Sequence, residues 1–196
     1  MTRTAPTTSA ALSLRTATVE VEHYVGDDGW DQPGRLFALV PTADLVEAEP
    51  DLAMELGVHS GTAEPLTPVE QEIDGNDRTL EELLSMIAWP PSVVGVLAVV
   101  ERVVLPPSVE TDVPDDEEGA VAFAAQHTAR EDVRIVAGVL RSGEAHCLLR
   151  LRSRDDDDDL LHGEDLVPQL VTALRETLED EQEDDGGDGD EGGPDE

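Results

Sequence analysis

The chain contains no lysine, a single cysteine and very little aromatic carbon. With Cys147 as its one thiol, no internal disulfide can form, which fits a reducing compartment. Aromatic residues are 3% of the total (Tyr24, Trp30, Phe37, Trp89 and Phe123), so valine, leucine and alanine have to fill any core. Long apolar runs are missing too. The longest, Val93 to Val100, is too short to cross a bilayer, and Met1 to Leu14 lacks the apolar stretch of a signal peptide. The expectation is a cytoplasmic protein without membrane contact.

What is abundant is negative charge. The 196 residues carry 46 acids against 12 bases, all arginine, for a formal net charge of −34. Such a chain repels nucleic-acid phosphates and anionic lipid, and attracts a basic protein. Scarce lysine, isoleucine and asparagine beside plentiful alanine, glycine, proline and valine match codon bias in a GC-rich genome; salt adaptation would leave a similar mark. Codon bias is the better reading, because about a third of the excess acid sits in one tail.

That tail, 179–196, has eleven acids and no apolar side chain, so it has nothing to bury and is expected to be disordered. Residues 1–10 are expected to be flexible. The remainder, 11–178, has the length and the 39% hydrophobic content of one domain, with no internal repeat and no linker.

Within it, Leu14, Ala17, Val21 and Tyr24 at helical spacing predict a helix over about 10–25, although alternation at 18–22 leaves a strand open. Arg35 to Val40 reads as a buried strand. Thr42 is placed to cap a short helix, and Pro50 to open another that stops at Gly57. Residues 58–78 read as a long loop. Thr79 and Glu82 form a capping box ahead of a helix through Ile87. Val93 to Leu105 predicts a strand, buried first and half-exposed from Glu101. Pro114 is expected to open a helix that runs to about His127.

Two alternating runs, 132–141 and 145–152, flank Ser142-Gly143-Glu144 and predict a β-hairpin. Pairing Arg141 with Ala145 gathers Val133, Ile135, Ala137, Val139, Cys147, Leu149 and Leu151 on one face. The other face carries Arg134, Val136, Leu140, His146, Leu148, Arg150 and Arg152. Asp155 to Asp159 is a loop, and a last helix follows from near Asp165. The whole predicts an α+β domain: a mostly antiparallel sheet of about four strands with helices packed against it, in the order α-β-α-α-β-α-β-β-α.

Motifs for chemistry are scarce. No glycine-rich phosphate loop follows a strand, no nucleophile elbow is present, and no helical histidine pair suits zinc. Neither a metal nor a cofactor is expected, and no residue is assigned as catalytic. Cys147 and His146 are neighbours on a strand and point to opposite faces, so Cys147 reads as a small core residue. The Asp155 to Asp159 run lacks the spacing of a calcium loop and reads as a solvated loop. The one uneven feature is arginine: six of the twelve lie between Arg130 and Arg154. Arg134, Arg150 and Arg152 share a strand face, and guanidinium forks suit carboxylate or phosphate. They are the candidate ligand-binding residues, with His146 and His127 as accessory acid–base candidates. The competing reading is that these forks bind the chain's own carboxylates.

Several stretches resemble an uncharacterised family of actinobacterial proteins with no assigned function. They are Gly29-Trp30-Asp31-Gln32-Pro33 with Arg35-Leu36-Phe37-Ala38-Leu39-Val40-Pro41-Thr42; Ile87-Ala88-Trp89-Pro90; Val100-Glu101-Arg102-Val103-Val104-Leu105-Pro106-Pro107; Val139-Leu140-Arg141-Ser142-Gly143; and Gly163-Glu164-Asp165-Leu166-Val167-Pro168. The resemblance covers about residues 10–178, and the acidic tail departs from it. It implies an actinobacterial, cytosolic protein and transfers no site residues.

Two functions are therefore expected to compete. One is a non-enzymatic protein-interaction module whose acidic surface takes a basic partner. The other is an enzyme or binding protein for a small anionic ligand held by the hairpin arginines.

Overall fold

The computed structural model describes residues 9–59, 65–73, 79–114 and 116–179. The expected flexible residues 1–8 and the tail 180–196 lie outside the described residues. Residues 9 and 10, expected to be loose, instead begin helix α1, Ser9–Gly26. It is continuous through 18–22, so the strand alternative there falls.

The other elements are β1 (Arg35–Pro41), α2 (Thr42–Ala48), α3 (Pro50–Glu55), β2 (Leu66–Gln71), α4 (Leu80–Leu84), β3 (Gly95–Val104), α5 (Glu117–Gln126), β4 (Glu131–Leu140), β5 (Ala145–Leu151), β6 (Leu161–Gly163) and α6 (Pro168–Leu178). The strands form one sheet in the order β2-β1-β3-β4-β5-β6. Every neighbouring pair is antiparallel. The expected α+β class holds, with six strands in place of about four.

Both extra strands are edge strands. β2 emerges from the expected loop at 58–78; Pro68 in its middle offers no ladder N–H, a device tolerated at a sheet edge and a reason the segment does not read as a strand. β6 is three residues long and is defined only by its pairing with β5.

Three layers result. On one face α1 lays Leu14, Ala17, Val21 and Val25 over Phe37, Leu39, Leu97, Val99, Val136 and Leu148. On the other, α4 and α6 bring Leu80, Leu84, Leu170, Val171, Leu174 and Leu178 against Leu36, Val96, Ala98, Ile135, Ala137 and Val139. The central strands β3 and β4 are therefore buried on both sides, which explains their near-continuous apolar runs. As expected, β3 is buried until Val100 and opens at Glu101.

Local chemistry sets several boundaries. The capping box holds, with Glu82 N–H donating to Thr79 Oγ1 at 3.2 Å and Thr79 N–H to Glu82 Oε2 at 2.9 Å. Its helix stops at Leu84, short of Ile87. Thr42 is not a cap: it lies inside α2 behind Pro41, and its hydroxyl pairs with that of Thr67 at 2.9 Å. α5 opens at Glu117 and not at Pro114, because the Asp116 carboxylate accepts from Gly119 N–H at 2.8 Å and caps the helix there.

The hairpin sets Val139, not Arg141, opposite Ala145. Leu140 N–H donates to Glu144 O and Gly143 N–H to Leu140 O, closing a four-residue loop with Gly143 at φ +104°. The shift is two residues, so each side chain keeps its expected face. Arg141 moves into the loop, where its guanidinium donates to the carbonyls of Val93 (2.9 Å), Trp89 (2.8 Å) and Leu178. It thereby ties the end of α6 to the entry of β3.

Gly95 leaves no room for a side chain between the strands. A Cβ there would lie 2.6 Å from the carbonyl oxygen of Val139 and 2.5 Å from Leu140 Cδ2. Because a backbone oxygen in a central ladder cannot step aside, Gly95→Ala should lower the unfolding free energy by about 1–3 kcal/mol, read as a shifted urea midpoint. An unchanged midpoint would show that β3 and β4 are less tightly apposed.

Candidate functional site

The arginines singled out from the sequence converge at one end of the sheet, on the face covered by α1. Arg134 is 1% exposed and Arg150 6%, and between them lies Glu22 at 1%. Glu22 comes from the apolar stripe of α1, one helical turn from Thr18 and next to Val21. Arg150 grips it with a two-pronged fork, Nε to Oε1 and Nη2 to Oε2, both 2.6 Å. Arg134 Nη1 stands 3.8 Å from the same carboxylate.

Each arginine has further partners. Arg134 donates to Glu101 Oε1 through Nε at 3.2 Å and Nη2 at 2.9 Å, and to the carbonyl of Gly29. Arg150 reaches Asp157 at 2.7 Å and Asp155 at 3.3 Å. Arg152, more exposed, forms a two-pronged pair with Asp31 at 2.9 and 3.0 Å. All three guanidinium groups are thus matched by carboxylates of this chain, as the competing reading expected.

The loop after α1 folds over this cluster. Trp30 lies under two cations, with Arg134 4.6 Å and Arg152 5.5 Å from its ring centre. Its indole N–H donates to Asp155 at 2.9 Å. The backbone N–H of Asp31 donates to Glu101 at 2.7 Å, while Asp31 itself adopts φ +66°. The aspartate run is therefore more than a solvated loop: two of its carboxylates hold Arg150.

Glu22, His23 and Asp157 place three potential ligand atoms within 4.8 Å of one another. Both carboxylates already belong to Arg150, whose positive charge opposes a cation there.

The other candidates lie apart. His127 ends α5, where its Nδ1 accepts from Ala129 N–H at 3.1 Å and its ring leans on Phe123. His146, 8% exposed, faces His162 of β6, with Nε2 and Nδ1 3.3 Å apart. Burial first, then the neighbouring His162, holds the His146 pKa down at about 4. Cys147 is fully buried among the α6-side core residues, and burial pushes its thiol up. His162 and Glu22 escaped the sequence reading. A carboxylate inside the apolar stripe of α1 was the available signal, since buried Glu is almost always paired.

A cavity of about 930 Å³ opens beside β1, its lining including Leu80, Leu83 and Val100, the acids Glu70 and Glu72, and Arg102. Arg35 forms one wall, its guanidinium donating to Glu70 at 2.6 and 2.8 Å and to Asp28 at 2.7 Å. The Arg35 bonds hold the Glu70 carboxyl below its usual range. Among the described residues, no helix is long and apolar enough to cross a membrane.

The family model described as PPA1309-like protein matches residues 14–179, a span that includes the whole sheet and the arginine cluster. No curated protein and no solved structure matches the chain.

Glu22→Gln keeps the shape of the buried fork but leaves two buried guanidinium groups short of charge. It should cost about 3–5 kcal/mol of stability, read by urea unfolding. Arg152→Gln, whose partner is exposed, should leave the midpoint close to wild type. Equal losses in both would overturn the distinction between the two pairs. Because Glu70 is depressed in the folded state, its contribution is present above the unfolded value near 4.5 and is lost as pH falls through the folded one. Glu70→Gln should therefore flatten the decline in stability below pH 4.5.

Proposed function

The chain belongs to the PPA1309-like protein family, and from that premise we propose that it is a non-enzymatic protein-interaction module whose acidic surface receives a basic partner. One observation carries this reading: the hairpin arginines, the strongest local source of positive charge, are spent on Glu22, Glu101, Asp31, Asp155 and Asp157. With 46 acids against 12 bases, the chain's large excess of acid has no arginines left over to balance it. An anion at Arg134, Arg150 and Arg152 would have to displace carboxylates that already make two-pronged bonds, two of those arginines being buried. Such displacement loses as many charge-assisted hydrogen bonds as it gains.

The cavity beside β1 gives the surface a place to bind. Leu80, Leu83 and Val100 in its lining suit the stem of a long side chain and Glu72 suits a cationic head, with Arg102 of the same lining opposing it. Binding of this kind gains most of its rate and specificity from charge, so salt weakens it.

Affinity purification from cells with the full chain as bait should retain a basic protein at about 0.1 M salt and release it by about 1 M, where the screening length falls from about 10 Å to 3 Å. Glu72→Arg should reduce that retention. Salt-independent capture, or calorimetric binding of inorganic phosphate that Arg152→Gln abolishes, would replace this reading with the ligand-binding one.

A further inference from the structure

The histidine pair at the β5–β6 edge has no part in the arginine cluster. Cys147 pairs with Gly163 and Leu148 with His162 in the ladder, so His146 and His162 are diagonal neighbours on one face of the sheet. His146 is 8% exposed, and the bond described for its Nε2 is to His162 Nδ1. His162 is exposed and opens the pair to solvent.

The separation of the two nitrogens is informative. At 3.3 Å it is long for a hydrogen bond, which centres at about 2.9–3.0 Å. Two imidazole nitrogens each about 2.05 Å from one tetrahedral ion stand about 3.3 Å apart, given the tetrahedral angle. The backbone ladder sets the two rings side by side on one face, with their facing nitrogens at the separation a shared ion needs. A pair of ring nitrogens is thereby preorganised for a shared ion.

We propose that His146 Nε2 and His162 Nδ1 form a two-histidine binding site for a borderline divalent transition metal, zinc or one of its neighbours, completed by water on the exposed side.

Imidazole nitrogen selects such ions over magnesium and calcium, which prefer oxygen. A neutral imidazole keeps a lone pair on one ring nitrogen, and moving the proton of the Nε2–Nδ1 bond to the far nitrogen of its ring turns both facing nitrogens into donors for the ion. Among the described residues, no carboxylate or thiol joins the pair to make three ligands, which sets the affinity well below that of a structural zinc site. Arg15 is the charged neighbour of both rings, and its cation opposes a bound metal.

The test is calorimetric titration of zinc chloride into the full, chelator-treated chain, with excess magnesium present to occupy surface carboxylates. One equivalent should bind. His162→Ala, at an exposed position, should weaken that event by about tenfold or more while circular dichroism stays unchanged. His146→Gln should do the same, and Arg15→Gln should strengthen binding. With cobalt in place of zinc, the visible spectrum should show the intense bands of tetrahedral coordination, lost in His162→Ala. Zinc binding that survives His162→Ala, or that vanishes only when residues 180–196 are removed, overturns the proposal.

Discussion

The architecture turns on one buried carboxylate. Placing Glu22 in the interior strips it of water at a cost of several kcal/mol, and Arg134 and Arg150 incur the same. The arrangement survives because the charges are matched at close range: a two-pronged fork on Glu22, and then Glu101, Asp155, Asp157 and the Gly29 carbonyl as further acceptors for the two guanidinium groups. No buried side-chain nitrogen or oxygen is left without a hydrogen bond among the described residues. The partners come from four parts of the chain: α1, the loop after it, β3 and the aspartate run. The rotation of α1, the β4–β5 register, the loop after α1 and the aspartate run are all fixed by a single charge balance.

That balance divides the sheet into two unlike faces. The side under α4 and α6 is held by aliphatic packing, with Arg141 and the Trp89–Thr177 bond (3.1 Å) fastening the helix ends. The side under α1 begins as a similar aliphatic core and becomes ionic toward Gly26. A hydrophobic interface tolerates small shifts, whereas paired forks do not, so the ionic end supplies orientation where packing alone is permissive. The same pairing buries the charges of Arg134 and Arg150.

Much of this was legible in the sequence, for physical reasons. α1, β1, β3 and both arms of the hairpin carry periodicities tied to burial, and face assignment in the hairpin survived a two-residue register error because strand parity repeats every two residues. The edge strands were not legible. β2 contains Pro68, and β6 has three residues whose strand character exists only through pairing with β5. The candidate site was half legible: the three arginines were found by their common face. Glu22 was not, because its partners lie more than a hundred residues away and only the three-dimensional fold brings them together. The histidine pair needed β6 and was hidden with it.

Position 31 shows two constraints of unequal strength meeting at one residue. A left-handed backbone is readily adopted only by glycine, asparagine and aspartate. Aspartate also supplies the carboxylate that takes both prongs of Arg152. That pair is exposed and contributes little to stability, so the backbone is the stricter of the two, and drift at this site is open to glycine and asparagine before glutamate.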